Sequence, residues 1–299
     1  MSVDLAVGTP AFLDLTFVGL EALPAPGEER FAGDLLRTPG GGAITAEAAC
    51  RLGLSTALVA PLGDDLAGDY VRTEVEREGV LVPPVRTGRT PQTVVMPVGH
   101  ERTMVTVDPG SRASAADLAA YEPSAIAANL EQLELLPDEG RVYVTCGDDD
   151  ARAFAGRPPR SLGRACALFV DRADALVLTA SESPEAAAAV LGEHVETVMI
   201  GLGARGAIAY VDGERVHPPD FDAGPVVDIT GGRDLLCAAF AWAQMRGADP
   251  VLSLAWAQLH VQLSMRVPTA TRGALAEADL LDEGRRRELD PPPGVVERS

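Results

Sequence analysis

The stretch "VVDITGGRDLLCAAF", residues 226–240, holds the residue types best suited to chemistry. A β-branched run carries Asp228, two glycines follow, and Arg233 and Asp234 open an apolar helical pattern. A helix N-terminus presents unpaired N–H groups and about half a positive charge. Glycines let those groups approach an anion, so Gly231 and Gly232 read as an anion cradle. Asp234 faces the same mouth and is kept ionised by the helix dipole. It can serve as a general base, taking the proton of a hydroxyl that attacks a phosphoryl group held in the cradle. An ordinary glycine-capped helix remains the alternative at this point. Arg233 is awkward, since a cation in the first helical turn costs about 0.3–1 kcal/mol. A phosphate facing the guanidinium would recover that cost. Arg233 is therefore read either as a clamp on a phosphoryl group or as a plug in its place.

Other candidates are sparser. Asp14, in "FLDLT", and Glu182, in "TASE", are carboxylates next to a strand and a helix start. The triplet Asp148–Asp150 follows an apolar run and reads as a solvated loop in preference to a metal site. His100, His194, His217 and His260 lack ligand spacing. Cys50, Cys146, Cys166 and Cys237 form no CxxC pair, which suits reduced buried thiols and argues against a structural zinc site. The chain has no lysine; all 25 basic residues are arginine. A P-loop lysine, a Schiff-base lysine and a lysine general base are thereby excluded.

The elements that must position these groups alternate. Short strands are expected over 3–8 and "AFLDLTFVGL", and a glycine-led helix over "GGGAITAEAACRLG". "DDLAGDYVRTEVEREG" is amphipathic, with Leu66, Tyr70, Val71 and Val75 on its apolar face. "TVVMPV" and "RTMVTV" form a hairpin around "GHE". "RVYVTC", "ALVLT" and "VETVMIGLG" read as buried parallel strands, with helices in "ARAFA" and "SLGRACALFV". Helices follow over "SPEAAAAVLGE", 234–246 and 251–266, with a hairpin at Asp212-Gly213 and a solvated helix face at "GRRRE". This predicts one doubly wound α/β domain. Segments 10–37 and 92–107 are inserted as a small β-sheet lid. The domain spans 1–285, and 286–299 is a flexible tail. With 299 residues and 46% hydrophobic content, the core is sizeable. A net charge of −19 argues against nucleic-acid or anionic-membrane partners. No apolar run is long enough for a membrane span, and the N-terminus does not read as a signal peptide; a cytoplasmic protein is expected.

The turn at 228–234 resembles the C-terminal signature Asp-Thr-Thr-Gly-Ala-Gly-Asp of the PfkB (ribokinase-like) carbohydrate kinases. "TPGGGAITAEAACRLG" and the "GDDLAG…EREGV" that follows it resemble the family's N-terminal signature. "VMIGLGARGAIAY" and "SLAWAQLHVQLSMRVPTA" resemble its nucleotide-side strand and late helix. The likeness covers roughly residues 3–280 in order. It implies a ribokinase-like three-layer fold, with a mostly parallel central sheet and a β-sheet lid. The implied activity is ATP-dependent phosphorylation of an alcohol group on a sugar or nucleoside.

Carried over by position, Asp234 matches the catalytic base, and Gly231, Gly232 and Arg233 the anion-hole turn. Asp14, Gly40, Gly41 and Thr45 match substrate-binding positions, and Gly203, Gly206 and Gln258 nucleotide-binding positions. Glu182 matches the Glu of an Asn-x-x-Glu motif tied to Mg²⁺ and phosphate, and Asp228 a contact to a monovalent cation such as K⁺. A homodimer through the lid would cover the exposed edges of its sheet. Departures are Thr45, Thr179 and Gln258 for asparagines, Gly201 and Ile229 for threonines, and Arg233 for a glycine. They leave open a catalytically impaired, kinase-fold binding or regulatory protein. A nucleotide-sugar or dinucleotide enzyme is disfavoured, because no GxGxxG follows the first strand.

Overall fold

The computed structural model describes residues 2–83, 88–98, 101–136, 140–221 and 224–295. Strands are β1 Leu5–Val7, β2 Ala11–Val18, β3 Asp34–Gly41, β4 Thr56–Leu58, β5 Gln92–Val98, β6 Glu101–Val107, β7 Ala125–Asn129, β8 Arg141–Cys146, β9 Ala167–Asp171, β10 Thr197–Gly201, β11 Ala207–Val211 and β12 Glu214–Val216. Helices are α1 Gly42–Arg51, α2 Leu66–Arg77, α3 Ala115–Ala119, α4 Leu130–Leu133, α5 Asp148–Ala153, α6 Arg172–Thr179, α7 Pro184–Gly192, α8 Gly232–Met245, α9 Pro250–Ser264, α10 Ala270–Gly273 and α11 Glu277–Arg286.

The main sheet runs β12-β11-β10-β9-β8-β7-β1-β4, parallel from β10 to β4, with the last hairpin antiparallel. Its inner strands are mostly apolar and buried along nearly their whole length, because helices cover both faces. One core joins α1, α8 and α9 to the sheet; the other packs residues of α3 through α7 on the opposite face. This is the three-layer arrangement that the resemblance implies. A second sheet, β3-β2-β5-β6, forms the lid. It runs to Gly41, so Gly40 and Gly41 end a strand.

Three expectations need correction. "ALFVD" is strand β9 and "ALVLT" lies in helix α6, the reverse of the expected order. Apolar runs of about five residues fit either element, and periodicity alone cannot choose between them. Leu66 is exposed, whereas Val71 and Val75 are fully buried; Leu66 is the first residue of α2, directly after the N-cap Asp65 that binds the Gly68 amide. The C-terminal segment is packed as far as residue 295: Trp256 donates to the Asp290 carbonyl at 2.9 Å, and Leu289 and Val295 join the core. Residues 296–299 and the "GH" of the expected lid turn lie outside the described residues.

Candidate active site

Helix α8 sets the site. Phe240 stands edge-on to Tyr143 of β8 and Phe169 of β9, with ring centroids 5.9 and 5.4 Å apart. This cluster fixes the helix beneath the strand ends. The α8 N-cap is Gly231, left-handed at φ 73° and without a side-chain cap. No side chain takes the first-turn amides, of which that of Gly232 donates to the Ile229 carbonyl at 3.4 Å. A Cβ on Gly231 would lie 2.6 Å from Ala270 Cβ and 2.7 Å from Ile44 Cδ1, so both space and dihedral require glycine.

Asp234 is buried in the first turn of α8. Thr45 of α1 directs its hydroxyl at the Asp234 carboxylate over 3.5 Å. Burial pushes Asp234 up to about 6, opposed by the Arg233 charge. Asp14, on lid strand β2, is also buried. It is pushed up to about 7, first by burial and then by the charge of Asp234 across the gap. The glycine before α1 makes room for it: a Cβ on Gly40 would lie 2.3 Å from Asp14 Oδ2. Gly41, at φ 57°, lets the chain pass the Pro10 carbonyl, which a Cβ would meet at 2.5 Å. Asp234, Asp14, Thr45, Gly40, Gly41, Gly231 and Gly232 are therefore brought together.

Arg233 is held by neighbouring groups in this arrangement. Its guanidinium donates to the Cys146 carbonyl at 2.7 Å and to Asp174 Oδ2 at 3.0 Å. Asp171 Oδ2 is 3.5 Å away. Gly147 leaves the room, since a Cβ there would stand 3.3 Å from Nη2. Burial opposes the charge, but Asp171, Asp234 and Asp174 more than restore it, so Arg233 stays cationic. Asp174 itself is pushed up to about 6 by burial, with Arg233 pulling it back. Arg102 of lid strand β6 approaches Asp171 Oδ2 to 3.7 Å and thereby ties the lid to the strand mouth.

Sequence reasoning missed Asp171, Asp174 and Arg102. The first two were findable as Asp-x-x-Asp at the end of an apolar run, had that run been read as the strand. Glu182 is exposed beyond the far end of α6 from this mouth and is not brought into the cluster. Thr179 at that end bonds Ala175 and Ser181. Gly201 pairs in register with Asp171, and a Cβ there would stand 3.4 Å from Asp171 Oδ1. Asp228 braces two loops, accepting the amides of Thr230 at 2.8 Å and Thr269 at 2.9 Å. Gly206 and Gln258 line one pocket of about 110 Å³ with Arg205, Ala207, Pro218 and Asp220. Gly203 lies just before that pocket, at φ 63°. Asp150 receives the amides of Leu130 and Glu131, a structural use. His260 is buried and accepts the Leu275 amide at 3.2 Å.

The sequence profile of the pfkB family carbohydrate kinases matches residues 21–273. Among solved structures, a Thermotoga maritima ribokinase superposes with a TM-score of 0.78 at 18% identity, covering 95% of this chain and 99% of that one. An Arabidopsis thaliana ribokinase complexed with ribose and ATP gives 0.74 at 23% identity, over 95% and 99%. A putative Escherichia coli ribokinase II in complex with ATP and Mg²⁺ gives 0.74 at 17% identity, over 96% and 100%.

Proposed function

Because this chain belongs to the pfkB family of carbohydrate kinases, we propose that it transfers a phosphoryl group from ATP to an alcohol group of a sugar or nucleoside, with Asp234 as general base. The observation that carries this reading is the buried Asp234 carboxyl beside the uncapped α8 N-terminus, opposite Asp14. An acid titrating near 6 is ionised at neutral pH yet basic enough to take a hydroxyl proton as attack proceeds. Asp14 orients the acceptor hydroxyls, and the amides after Gly231 receive the transferred group. Gly203, Gly206 and Gln258 serve the nucleotide side.

The alternative of an impaired kinase-fold binder drew on Arg233 and Gly201. Arg233 is committed to Cys146 and Asp174, and Gly201 opens space beside Asp171. Both departures are compatible with an open cleft, which favours the kinase reading.

Magnesium takes one or two carboxylates together with nucleotide phosphates. Asp171 fits that part: its side chain is 41% exposed at the strand mouth, with Arg233 at 3.5 Å and Arg102 at 3.7 Å. Held there, the ion would neutralise phosphate charge. A monovalent cation at Asp228 would share a carboxylate that already accepts two amides. Cytoplasmic residence is part of the proposal; among described residues no helix is long and apolar enough to cross a membrane. A homodimer through the lid is proposed as well, covering the exposed Met104, Val105 and Val107 of β6.

The test is transfer of labelled phosphate from ATP to a panel of sugars and nucleosides. Turnover of at least one is expected. Silence across the panel, by folded protein with ATP and Mg²⁺ present, would sink the reading.

A further inference from the structure

Three oxygen atoms from three elements converge on one nitrogen of Arg233. Nη1 stands 2.7 Å from the Cys146 carbonyl at the end of β8, 3.0 Å from Asp174 Oδ2 on α6 and 3.5 Å from Asp171 Oδ2 at the end of β9. A guanidinium Nη carries two protons, so it directs hydrogen bonds at two of these oxygens and holds the third by charge. Two carboxylates and a backbone carbonyl are also the ligand types that suit a hard divalent cation such as Mg²⁺, Ca²⁺ or Mn²⁺. Asp174 is buried, so a cation of some kind must stand beside its charged form. A second guanidinium, that of Arg102 on β6, lies 3.7 Å from the same Asp171 Oδ2, and its Nη1 is buried without a partner. A metal ion entering this corner would therefore meet two fixed positive charges, one of them at the very point where the oxygens converge.

We infer that the Arg233 guanidinium is a resident cation: it takes the place of a free divalent metal ion among Asp171, Asp174 and the Cys146 carbonyl. The other Asp171 oxygen is left out of this arrangement. Oδ1 faces Gly201, where a Cβ would stand 3.4 Å away, and it stays available to an ion that arrives with the nucleotide. Removing the guanidinium uncovers a metal site that the wild-type chain keeps closed. One consequence rests on the kinase reading: phosphotransfer needs the Mg²⁺ that ATP carries and gains nothing from free Mg²⁺ beyond it.

The probe is Mn²⁺ without nucleotide, titrated by electron paramagnetic resonance into wild type, Arg233→Gly, Arg102→Met and the double variant Arg233→Gly/Asp174→Asn. Arg233→Gly is expected to take up one Mn²⁺ about tenfold or more tightly than wild type, since two carboxylates then lack their cation. The double variant should lose that gain. Arg102→Met should match wild type, because Arg233 still fills the point of convergence. Mg²⁺ should raise the melting temperature of Arg233→Gly and leave that of wild type unmoved. Equal Mn²⁺ binding by wild type and Arg233→Gly would overturn the inference. A gain in Arg102→Met equal to that in Arg233→Gly would overturn it too, since charge alone would then account for both. Circular dichroism identifies a variant that fails to fold, and Arg233→Ala then takes its place. Wild type also tests the inference unaided: a Mn²⁺ site that Asp174→Asn abolishes would overturn it. In the kinase arm, the rate at fixed Mg·ATP should stay flat for wild type as free Mg²⁺ rises and climb for Arg233→Gly; a climb in wild type counts against the inference. If wild type transfers no phosphate, the kinase reading falls and the Mn²⁺ titrations still decide the inference.

Discussion

Replacing Arg233 by glycine removes a guanidinium that holds Asp174 at 3.0 Å and the Cys146 carbonyl at 2.7 Å. Asp174 keeps only 12% of its side chain exposed and would be left without this partner. Stranding a fully buried charge costs about 3–5 kcal/mol. Arg233 retains 27% of its side-chain surface, so water screens part of this and about 1–3 kcal/mol is expected. Removing a cation from the first turn of α8 returns about 0.3–1 kcal/mol, whereas glycine within the helix costs up to about 1 kcal/mol. These last two nearly cancel. The sign follows from the lost ion pair: Arg233→Gly lowers the melting temperature by several degrees. Asp174→Asn does the same, and the double variant loses less than the sum. Denaturant titrations of the four proteins give the coupling, expected at about 1–2 kcal/mol. Additivity within about 0.5 kcal/mol would refute the ion pair. Phosphotransfer by Arg233→Gly should fall less than about tenfold, since a true phosphoryl clamp costs about a hundredfold or more.

The buried acids bind protons more tightly in the native state: Asp14 about 7, Glu47 about 8, Asp174 about 6 and Asp234 about 6, each raised chiefly by burial. Between their unfolded values near 4 and these folded values the native state carries more protons, so stability falls as pH rises. Melting temperature should therefore decline from pH 5.5 to pH 8.5, and a rising trend over that window would contradict the burial. The free-enzyme rate, kcat/KM, should gain an ascending limb with a midpoint near 6 as Asp234 ionises; a flat profile between pH 5 and 7 would remove Asp234 from the chemistry. Gly40→Ala places a methyl at 2.3 Å from Asp14 Oδ2 and must displace that carboxylate. Acceptor KM should rise about tenfold or more with ATP affinity unchanged, read from steady-state kinetics and nucleotide titration.

The fold was legible where two signals agreed. α8 begins where glycines meet an apolar helical period. α7 begins at Ser183-Pro184, and Ser183 accepts the Ala186 amide at 3.2 Å. Where one short apolar run stood alone, the reading slipped. Exchanging strand and helix between "ALFVD" and "ALVLT" left Asp171 and Asp174 unremarked, because they close the strand and open the helix that were exchanged. Asp171 and Asp174 were hidden by that slip alone. The partners of Arg233 were hidden for another reason. Sequence shows a cation in a helix's first turn, but its partners come from β8, β9 and α6, which only the tertiary fold assembles. Arg102 reaches Asp171 from the lid in the same way. Asp14 and Gly40 were each readable from the resemblance, yet their mutual fit depends on the β2–β3 register.

In the proposed reaction Asp234 takes the acceptor proton. Its most direct test is single-turnover phosphotransfer from ATP by wild type and Asp234→Asn, using an acceptor that wild type phosphorylates. The amide keeps the size of the carboxyl and removes its basicity. A rate loss of about 10²–10⁴-fold with ATP and acceptor binding retained is predicted. Equal rates for the two proteins would contradict it.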